Sequence, residues 1–91
     1  MTLHSRATED FWKLYGALPD AVRKNARKAY HLWRENPSHP SLHFKKVHEE
    51  EPLYSVRIGL GWRELGLLEG ETVTWFWIAS HAEYDRLVER W

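Results

Sequence analysis

An alternating stretch in the middle of the chain, residues 53–66, constrains the fold more than any other feature. Apolar residues alternate there with polar or small residues, on both sides of a Gly-Leu-Gly break. Alternation with a period of two is typical of a β-strand that buries one face. The same stretch carries Arg57 and Arg63, and two arginines in so small a domain need either carboxylate partners or an anionic ligand. The sequence therefore predicts a strand pair whose arginines serve one of these two purposes.

Helical spacing dominates the part of the chain before this stretch. Residues 8–10, Thr-Glu-Asp, are typical of a helix start, because a hydroxyl caps the first turn and acids there interact favourably with the helix dipole. Pro19 interrupts this helix and opens a second, longer one, since proline is accepted in a first turn. Asn36-Pro37 ends the second helix. Its apolar stripe consists of Val22, Ala26, Ala29, Tyr30 and Trp33.

Beyond Ser41 the period of two predicts four strands, at residues 42–47, 54–60, 62–68 and 72–79. Short connections make these strands an antiparallel meander. The second strand is expected to bury one face and to place the other outward; the buried face holds Tyr54, Val56, Ile58 and Leu60, and the opposite face holds Ser55, Arg57 and Gly59. In the fourth strand, alternation puts Trp75 and Trp77 on one face and Phe76 and Ile78 on the other.

The segment Ser80-His81-Ala82-Glu83 matches a capping box and predicts a short last helix. The apolar side of that helix consists of Tyr84, Leu87, Val88 and Trp91. The element order is thus two helices, a run of strands and a final helix. Helices segregated from an antiparallel sheet predict an α+β fold with two layers.

Length and composition narrow the class of protein. A chain of 91 residues is expected to form one domain, residues 1–91. The lack of cysteine excludes disulfides and thiolate metal sites. No apolar run approaches the roughly 20 residues that span a bilayer, and the first residues lack the apolar stretch of a signal peptide. A cytoplasmic protein without membrane contact is therefore expected.

Charge distribution bears on nucleic-acid binding. The formal net charge is zero, which argues against a strong non-specific nucleic-acid binder. Basic residues nevertheless cluster on the second helix, with two more just beyond it; they are Arg23, Lys24, Arg27, Lys28, Arg34, Lys45 and Lys46. The acids concentrate elsewhere, notably at residues 49–51. A local basic patch on a neutral protein is compatible with this distribution.

Several short motifs in fixed order resemble the RelE/ParE family of toxins from bacterial type II toxin–antitoxin systems. They are Leu18-Pro19, Ala29-Tyr30, Asn36-Pro37, Tyr54-x-Val56-Arg57-Ile58-Gly59, Trp62-Arg63, and Ile78 leading into His81-x-x-Tyr84. The resemblance runs from about Phe11 to Tyr84. It implies a helical hairpin packed on a curled antiparallel four-stranded sheet, followed by a short C-terminal helix. It also implies a cognate antitoxin protein as a partner.

Ribosome-dependent members of this family cut messenger RNA, and the resemblance carries their chemistry to specific residues. In that reaction a ribose 2′-hydroxyl attacks the adjacent phosphate without a metal or another cofactor. By resemblance, Arg57 and Arg63 hold the phosphate, for which the planar guanidinium is suited. Tyr84 matches the C-terminal tyrosine of many nuclease members, and His81 has the side chain best suited to proton transfer near neutral pH. The ribosome and messenger RNA are then further partners.

Some positions depart from the nuclease pattern and keep other functions open. Many nuclease members carry a basic residue where this chain has Ser55, and often an arginine where it has Ala82 and Glu83. Lys45 and Lys46 are candidates to contact RNA in place of the missing basic residues. The alternatives are a ParE-type toxin that poisons DNA gyrase and a catalytically silent relative that acts by binding protein.

Structural roles compete with each of these functional assignments. Arg57 and Arg63 have Glu64, Glu69 or Glu71 as alternative partners across the hairpins. Tyr84 heads the apolar side of the last helix, where a packing role is equally reasonable. Trp75 and Trp77 suit either the core or base stacking. The histidines at positions 39, 43 and 48 lack the spacing of a metal site.

Overall fold

The computed structural model describes residues 3–90 and has the expected α+β organisation, with helices packed on a sheet. In chain order the elements are β1 (His4–Ala7), α1 (Glu9–Gly16), α2 (Asp20–Glu35), a short 3-10 turn (Pro40–Leu42), β2 (Lys45–Lys46), β3 (Leu53–Ile58), β4 (Trp62–Glu69), β5 (Thr72–Ser80) and α3 (His81–Arg90). Within these residues no helix has the length and apolar character needed to cross a membrane.

Over residues 3–90 the sheet has five strands in the order β1-β5-β4-β3-β2, one more than the sequence predicts. The additional strand, β1, runs parallel to β5 with His4 opposite Thr72 and Ala7 opposite Trp75, so the sheet is mixed and not purely antiparallel. Its ends are fixed by backbone bonds from His4 N to Glu71 O at 2.7 Å and from Thr8 N to Trp75 O at 3.0 Å. β1 escaped prediction because it is only four residues long and mostly polar.

The first two helices begin where the sequence signals lie. The Thr8 hydroxyl accepts a hydrogen bond from Phe11 N at 3.1 Å and so caps α1. Pro19 precedes the first residue of α2, and Asn36 follows the last. Both helices pack on one face of the sheet, where Trp33 meets Trp75 edge to face at 5.3 Å between ring centroids. Most of the buried apolar residues belong to this layer, including Phe11, Val22, Ala26, Val56, Ile58, Val73 and Ile78.

A β-bulge separates the two tryptophans of β5. Leu65 of β4 lies opposite Trp77, whereas Gly66 lies opposite Trp75, so Phe76 is an extra residue in the ladder. Trp75 therefore joins the core under the helices, and Trp77 faces the other side of the sheet. The prediction that Trp75 and Trp77 share a face is wrong, because strict alternation holds only in a strand without a bulge.

The strands before the bulge also differ from the prediction in their limits. The first predicted strand shrinks to Lys45–Lys46, since Leu42 ends the 3-10 turn and His43 adopts a left-handed φ of 46°. β3 ends at Ile58, because Gly59 turns the chain with a φ of 58°. Leu60 consequently lies in the turn and is 90% exposed, so its expected place on the buried face is wrong.

The face of the sheet away from α1 and α2, here called the open face, is only partly covered. Its buried residues are Leu53, Ser55, Leu65 and Ala79. α3 follows β5 directly, and its start has the predicted capping interaction: Glu83 N donates to Ser80 Oγ at 3.2 Å, and Ser80 Oγ donates to the Glu83 carboxylate at 3.1 Å. The half-buried side chains of α3 are Tyr84, Leu87 and Val88; Trp91, also expected there, lies outside the described residues.

Candidate functional site

Arg57 of β3 and Arg63 of β4 are direct cross-strand partners. Residues that lie opposite each other in an antiparallel ladder project from the same face of the sheet. The next pair along, Ser55 and Leu65, shares this face, which is the open face. The sequence motifs that flank the turn at residues 59–61 are thus brought together by the β3–β4 hairpin.

Arg63 carries donors that nothing in the described part of the chain satisfies. Its Nε and Nη1 atoms are buried and have no hydrogen-bond partner. The ring of Tyr84 covers the guanidinium, with Arg63 Cζ 5.5 Å from the ring centroid, a cation–π distance. Buried donors without a partner are costly, and an anion that accepts a charge-assisted hydrogen bond from the Arg63 guanidinium would offset that cost. Arg63 is therefore the strongest anion-binding candidate on this face.

Arg57 projects from the same face of the sheet as Arg63, but its guanidinium group makes its contacts at the edge of the sheet. Its Nε donates to Gly59 O at 3.0 Å, and its Nη1 lies 3.4 Å from His43 Nε2. β2 pairs with β3 only as far as Ser55, so the edge beside Arg57 is open. Arg57 also lines a groove of about 380 Å³ with Lys28 of α2. A phosphate at Arg63 would need the Arg57 head group to turn from this edge.

His81 and Tyr84 stand one helical turn apart at the start of α3. Their ring centroids are 6.0 Å apart, and His81 N donates to Gly61 O at 2.7 Å, which ties the helix to the β3–β4 turn. His81 Nδ1 lies 3.1 Å from Asp85 Oδ2 on the next turn, with both side chains about half exposed to solvent. The sequence analysis does not predict a role for Asp85. Its spacing of four residues from His81 in a predicted helix nevertheless indicates that the two side chains can meet.

The two lysines of β2 fall on different faces. Lys45 lies opposite Ser55 and so shares the open face with Arg57 and Arg63, while Lys46 lies opposite Tyr54 on the helix side. Lys46 Nζ donates to Glu49 O at 3.3 Å within its own turn. Of the two lysines expected to contact RNA, only Lys45 therefore extends the cationic side of the open face.

Within residues 3–90, neither Arg57 nor Arg63 forms an ion pair with a carboxylate. The ion pairs among these residues are Arg23 with Asp20 and His81 with Asp85. Glu64 lies between Val56 and Ile78 on the helix side of the sheet, away from both arginines. Glu69 and Glu71 lie at the far end of the β4–β5 hairpin. The alternative in which the arginines only make ion pairs across the hairpins is thus not supported by the geometry.

Ser55 is fully buried on the open face. Its Oγ atom is another buried polar atom without a hydrogen-bond partner in the described part of the chain. It lies diagonally across the ladder from Arg63. A small polar side chain without a partner therefore lies next to the unpaired donors of Arg63.

The histidines in and around the loops have local roles. His39 Nδ1 accepts a hydrogen bond from Ser41 N at 3.2 Å, and His48 Nδ1 accepts from Glu50 N at 3.2 Å and from Glu51 N at 3.0 Å. Over residues 3–90 no group of three His, Asp or Glu side chains is placed to hold a metal ion. These histidines do not converge on the open face, apart from the contact of His43 with Arg57.

Comparison with known proteins connects this geometry to a family. The family model of the ParE-like toxin domain matches residues 20–86. No curated protein sequence matches the chain significantly. The chain is similar in structure to toxins of solved toxin–antitoxin complexes, at identities that bear on the fold alone.

The similar structures cover nearly the whole chain. In the RelB–RelE antitoxin–toxin complex from Methanococcus jannaschii, the match has a TM-score of 0.71 and 19% identity and covers 89% of this chain and 96% of that one. For the RelBE2 toxin–antitoxin complex from Mycobacterium tuberculosis, the TM-score is 0.70 at 18% identity, and the match covers 89% of this chain and 100% of that one. For YafQ from E. coli, the TM-score is 0.71 at 10% identity, and the match covers 90% of this chain and 97% of that one.

Proposed function

The chain belongs to the family of ParE-like toxin domains, and from that premise we propose that it is the toxin of a type II toxin–antitoxin system. Its reaction, in this proposal, is the metal-independent cleavage of ribosome-bound messenger RNA. Several similar structures are toxin–antitoxin complexes, which supports a cognate antitoxin as the partner of this chain. The ribosome and messenger RNA would be its targets in the cytoplasm.

The observation that carries the nuclease proposal is the state of Arg63. Two of its donors are buried without partners beside a cross-strand arginine. In RNA cleavage by the 2′-hydroxyl, negative charge builds on the phosphate oxygens as the new O–P bond forms. Preorganised donors directed at that charge stabilise the transition state more than the ground state. Guanidinium donors that are held in place without a protein partner have this property, and Arg57 would supply a second cation after turning from Gly59.

Proton transfer falls to the residues at the start of α3. The 2′-hydroxyl loses its proton as it attacks phosphorus, the bond to the 5′-oxygen breaks, and that oxygen takes up a proton; the product ends in a 2′,3′-cyclic phosphate. We assign the first proton transfer to His81, because Asp85 beside Nδ1 favours the tautomer that leaves Nε2 free to accept. We assign protonation of the leaving oxygen to the hydroxyl of Tyr84, whose ring lies over Arg63.

Primer extension on translating ribosomes tests this proposal. The purified protein is added to ribosomes that are translating a defined message, and the same message without ribosomes serves as the control. We expect cuts at the decoding site that appear only with ribosomes. If the protein arrests growth in cells but leaves the message on translating ribosomes intact, the nuclease assignment is wrong.

A second candidate function is the poisoning of DNA gyrase. It is favoured by the ParE-like description of the matching family model and by the zero net charge. A supercoiling assay with purified gyrase separates the two candidates. Inhibition of supercoiling together with intact messenger RNA would select the gyrase function, and inactivity in both assays would select a binding role alone.

A further inference from the structure

A cavity of about 420 Å³ lies on the side of the sheet away from Arg63, between β1, α1, α2 and the centre of the sheet. Its size falls in the range of sites that take a small molecule or a large side chain. Its walls are mainly aromatic and apolar, and they are formed by Phe11, Tyr15, Ala26, Tyr30 and Trp75. The carboxyl group of Glu64 lies among these side chains. We call it the helix-side cavity. It plays no part in the proposed cleavage reaction.

Glu64 is the unusual member of this cavity. Its side chain is only 6% exposed, and within residues 3–90 it has no hydrogen bond or ion pair. The two neighbouring tyrosine hydroxyls already have partners, since Tyr15 accepts from Arg27 at 2.8 Å and Tyr30 bonds to Ser5 at 2.7 Å. A buried carboxyl without a partner is costly compared with a leucine or methionine at the same position. Its free oxygens are therefore a feature that a ligand would use.

The rim of the cavity has a different character from its floor. Arg6, Arg27 and His31 are exposed there, with no acidic residue among the lining side chains of the rim. Trp12 also stands at the rim and is 57% exposed, an unusual state for so large an apolar side chain. Exposed aromatic surface beside a pocket is typical of a surface that a protein partner covers. The basic side chains indicate that this partner is acidic.

We infer that the helix-side cavity receives a tryptophan or tyrosine side chain from an acidic segment of a partner protein, with Glu64 as the hydrogen-bond partner of its N–H or O–H group. The aromatic body fits the ring-lined walls, and acids beside it in the segment would meet Arg6 and Arg27. Large aromatic anchors in a desolvated pocket with a polar rim are typical binding hot spots. The partner is the antitoxin if the proposed function holds; the cavity chemistry itself does not depend on RNA cleavage.

Synthetic peptides test this inference directly on the purified protein. The probe is the capped peptide Asp-Glu-Trp-Glu-Asp, and the two comparison peptides replace Trp by Leu or the four acids by their amides. Affinities are measured by calorimetry, with backbone NMR shifts to locate the site. We expect shifts around Ala26 and Glu64, and affinity at least fivefold weaker for each comparison peptide. Equal binding of all three peptides would overturn the inference.

The Glu64→Leu variant isolates the hydrogen bond. We expect it to weaken binding of the Trp peptide about tenfold, equivalent to about 1.4 kcal/mol, and to leave binding of the Leu peptide within about twofold. This double-mutant cycle removes effects that are common to both peptides. Equal loss for both peptides would mean that Glu64 only shapes the cavity, and the inference would be wrong.

A pair of exposed substitutions on α2 tests the rim without touching the core. Arg27→Glu reverses a charge at the rim, whereas Lys24→Glu makes the same change on the same helix outside the cavity lining. We expect only Arg27→Glu to weaken the acidic peptide, by fivefold or more, and this test stands even if Glu64→Leu does not fold. Equal effects of the two variants would overturn the acidic-partner assignment. Because no ribosome is present, a failed peptide experiment and a failed cleavage experiment remain distinguishable.

Discussion

The ring of Tyr84 lies over the guanidinium of Arg63, with Arg63 Cζ 5.5 Å from the ring centroid. This contact joins the first turn of α3 to the turn end of the β3–β4 hairpin. It also gives Tyr84 a structural role beside the proposed catalytic one, since the ring covers the Arg63 guanidinium while the hydroxyl is the group proposed to protonate the leaving oxygen. Packing and catalysis by Tyr84 can therefore be tested separately, because the ring would do the first and the hydroxyl the second.

Arg63→Ala is expected to lower ribosome-dependent cleavage on the order of a hundredfold or more, since it removes a donor directed at developing charge. Its cost in folding stability should be much smaller, about 0.5–2 kcal/mol from the lost cation–π contact with Tyr84, because Nε and Nη1 have no hydrogen bonds to lose. Cleavage by primer extension and thermal melting measure the two effects. Arg34→Ala, at the exposed end of α2, is the matched control and should change neither. A fully active Arg63→Ala protein would remove the central residue of the mechanism.

Tyr84→Phe is expected to separate the hydroxyl from the ring. The ring over Arg63 is kept, so the melting temperature should stay within about 2 °C of the original protein. Cleavage should fall by roughly 10²-fold or more, as is usual when a positioned acid is removed. Tyr84→Ala should lower both quantities, because the cation–π contact and the packing of α3 are lost. Unchanged cleavage by the Tyr84→Phe protein would leave Tyr84 with a packing role alone.

Much of the fold could be predicted from local patterns. The caps at Thr8 and Ser80, the proline before α2 and the alternation in β3 and β4 all act within a few residues, so the sequence displays them directly. The parallel strand β1 could not be found in this way, since only its pairing with β5 makes four mostly polar residues a strand. The bulge at Leu65/Gly66 was also invisible, because it arises from the fit between two strands.

The candidate site was predictable in its residue types and less so in its contacts. The pairing of Arg57 with Arg63 follows from a short hairpin and was expected as a shared surface. The contacts of Arg57 with Gly59 and His43 were not expected, because the strand β2 begins only at Lys45 and leaves His43 in a left-handed turn beside Arg57. Glu64 was considered only as a partner for arginine, since nothing local in the sequence shows that its side chain enters the helix-side cavity.

Gly66→Ala is expected to destabilise the fold strongly. A Cβ at this position would lie 2.6 Å from Val73 Cγ1 and 2.7 Å from Trp75 Cε3, both in the core. Such overpacking costs about 1–3 kcal/mol or more, as side chains are forced from their rotamers. Gly61→Ala is the matched control, because nothing lies within 4 Å of a Cβ there and its φ is not in the left-handed region. Denaturant unfolding of both variants measures the difference; equal stability would mean that β5 can shift at the bulge.

Glu64 is expected to make stability fall as the pH rises through the neutral range. Burial raises the pKa of its carboxyl to about 8 in the folded protein, whereas an unfolded glutamate has a pKa of about 4.3. The folded state therefore holds this proton more tightly, and the stabilisation it gives is complete below about pH 4.3 and lost as the pH passes through about 8. Between these limits the linkage slope approaches ~1.4 kcal/mol per pH unit for one proton.

The measurement for this prediction is the free energy of unfolding from denaturant melts at pH 6 and pH 8, for the original protein and for Glu64→Gln. Other titrating groups are common to both proteins and cancel in the comparison. The original protein should lose on the order of 1–2 kcal/mol more than the Glu64→Gln protein between these pH values, since glutamine cannot ionise. The peptide with the central Trp should reduce this loss, because its N–H group would stabilise the ionised carboxylate. Parallel pH profiles for the two proteins would show that Glu64 reaches water or a cation when it ionises, and the desolvated carboxyl would no longer support the helix-side cavity as a binding site.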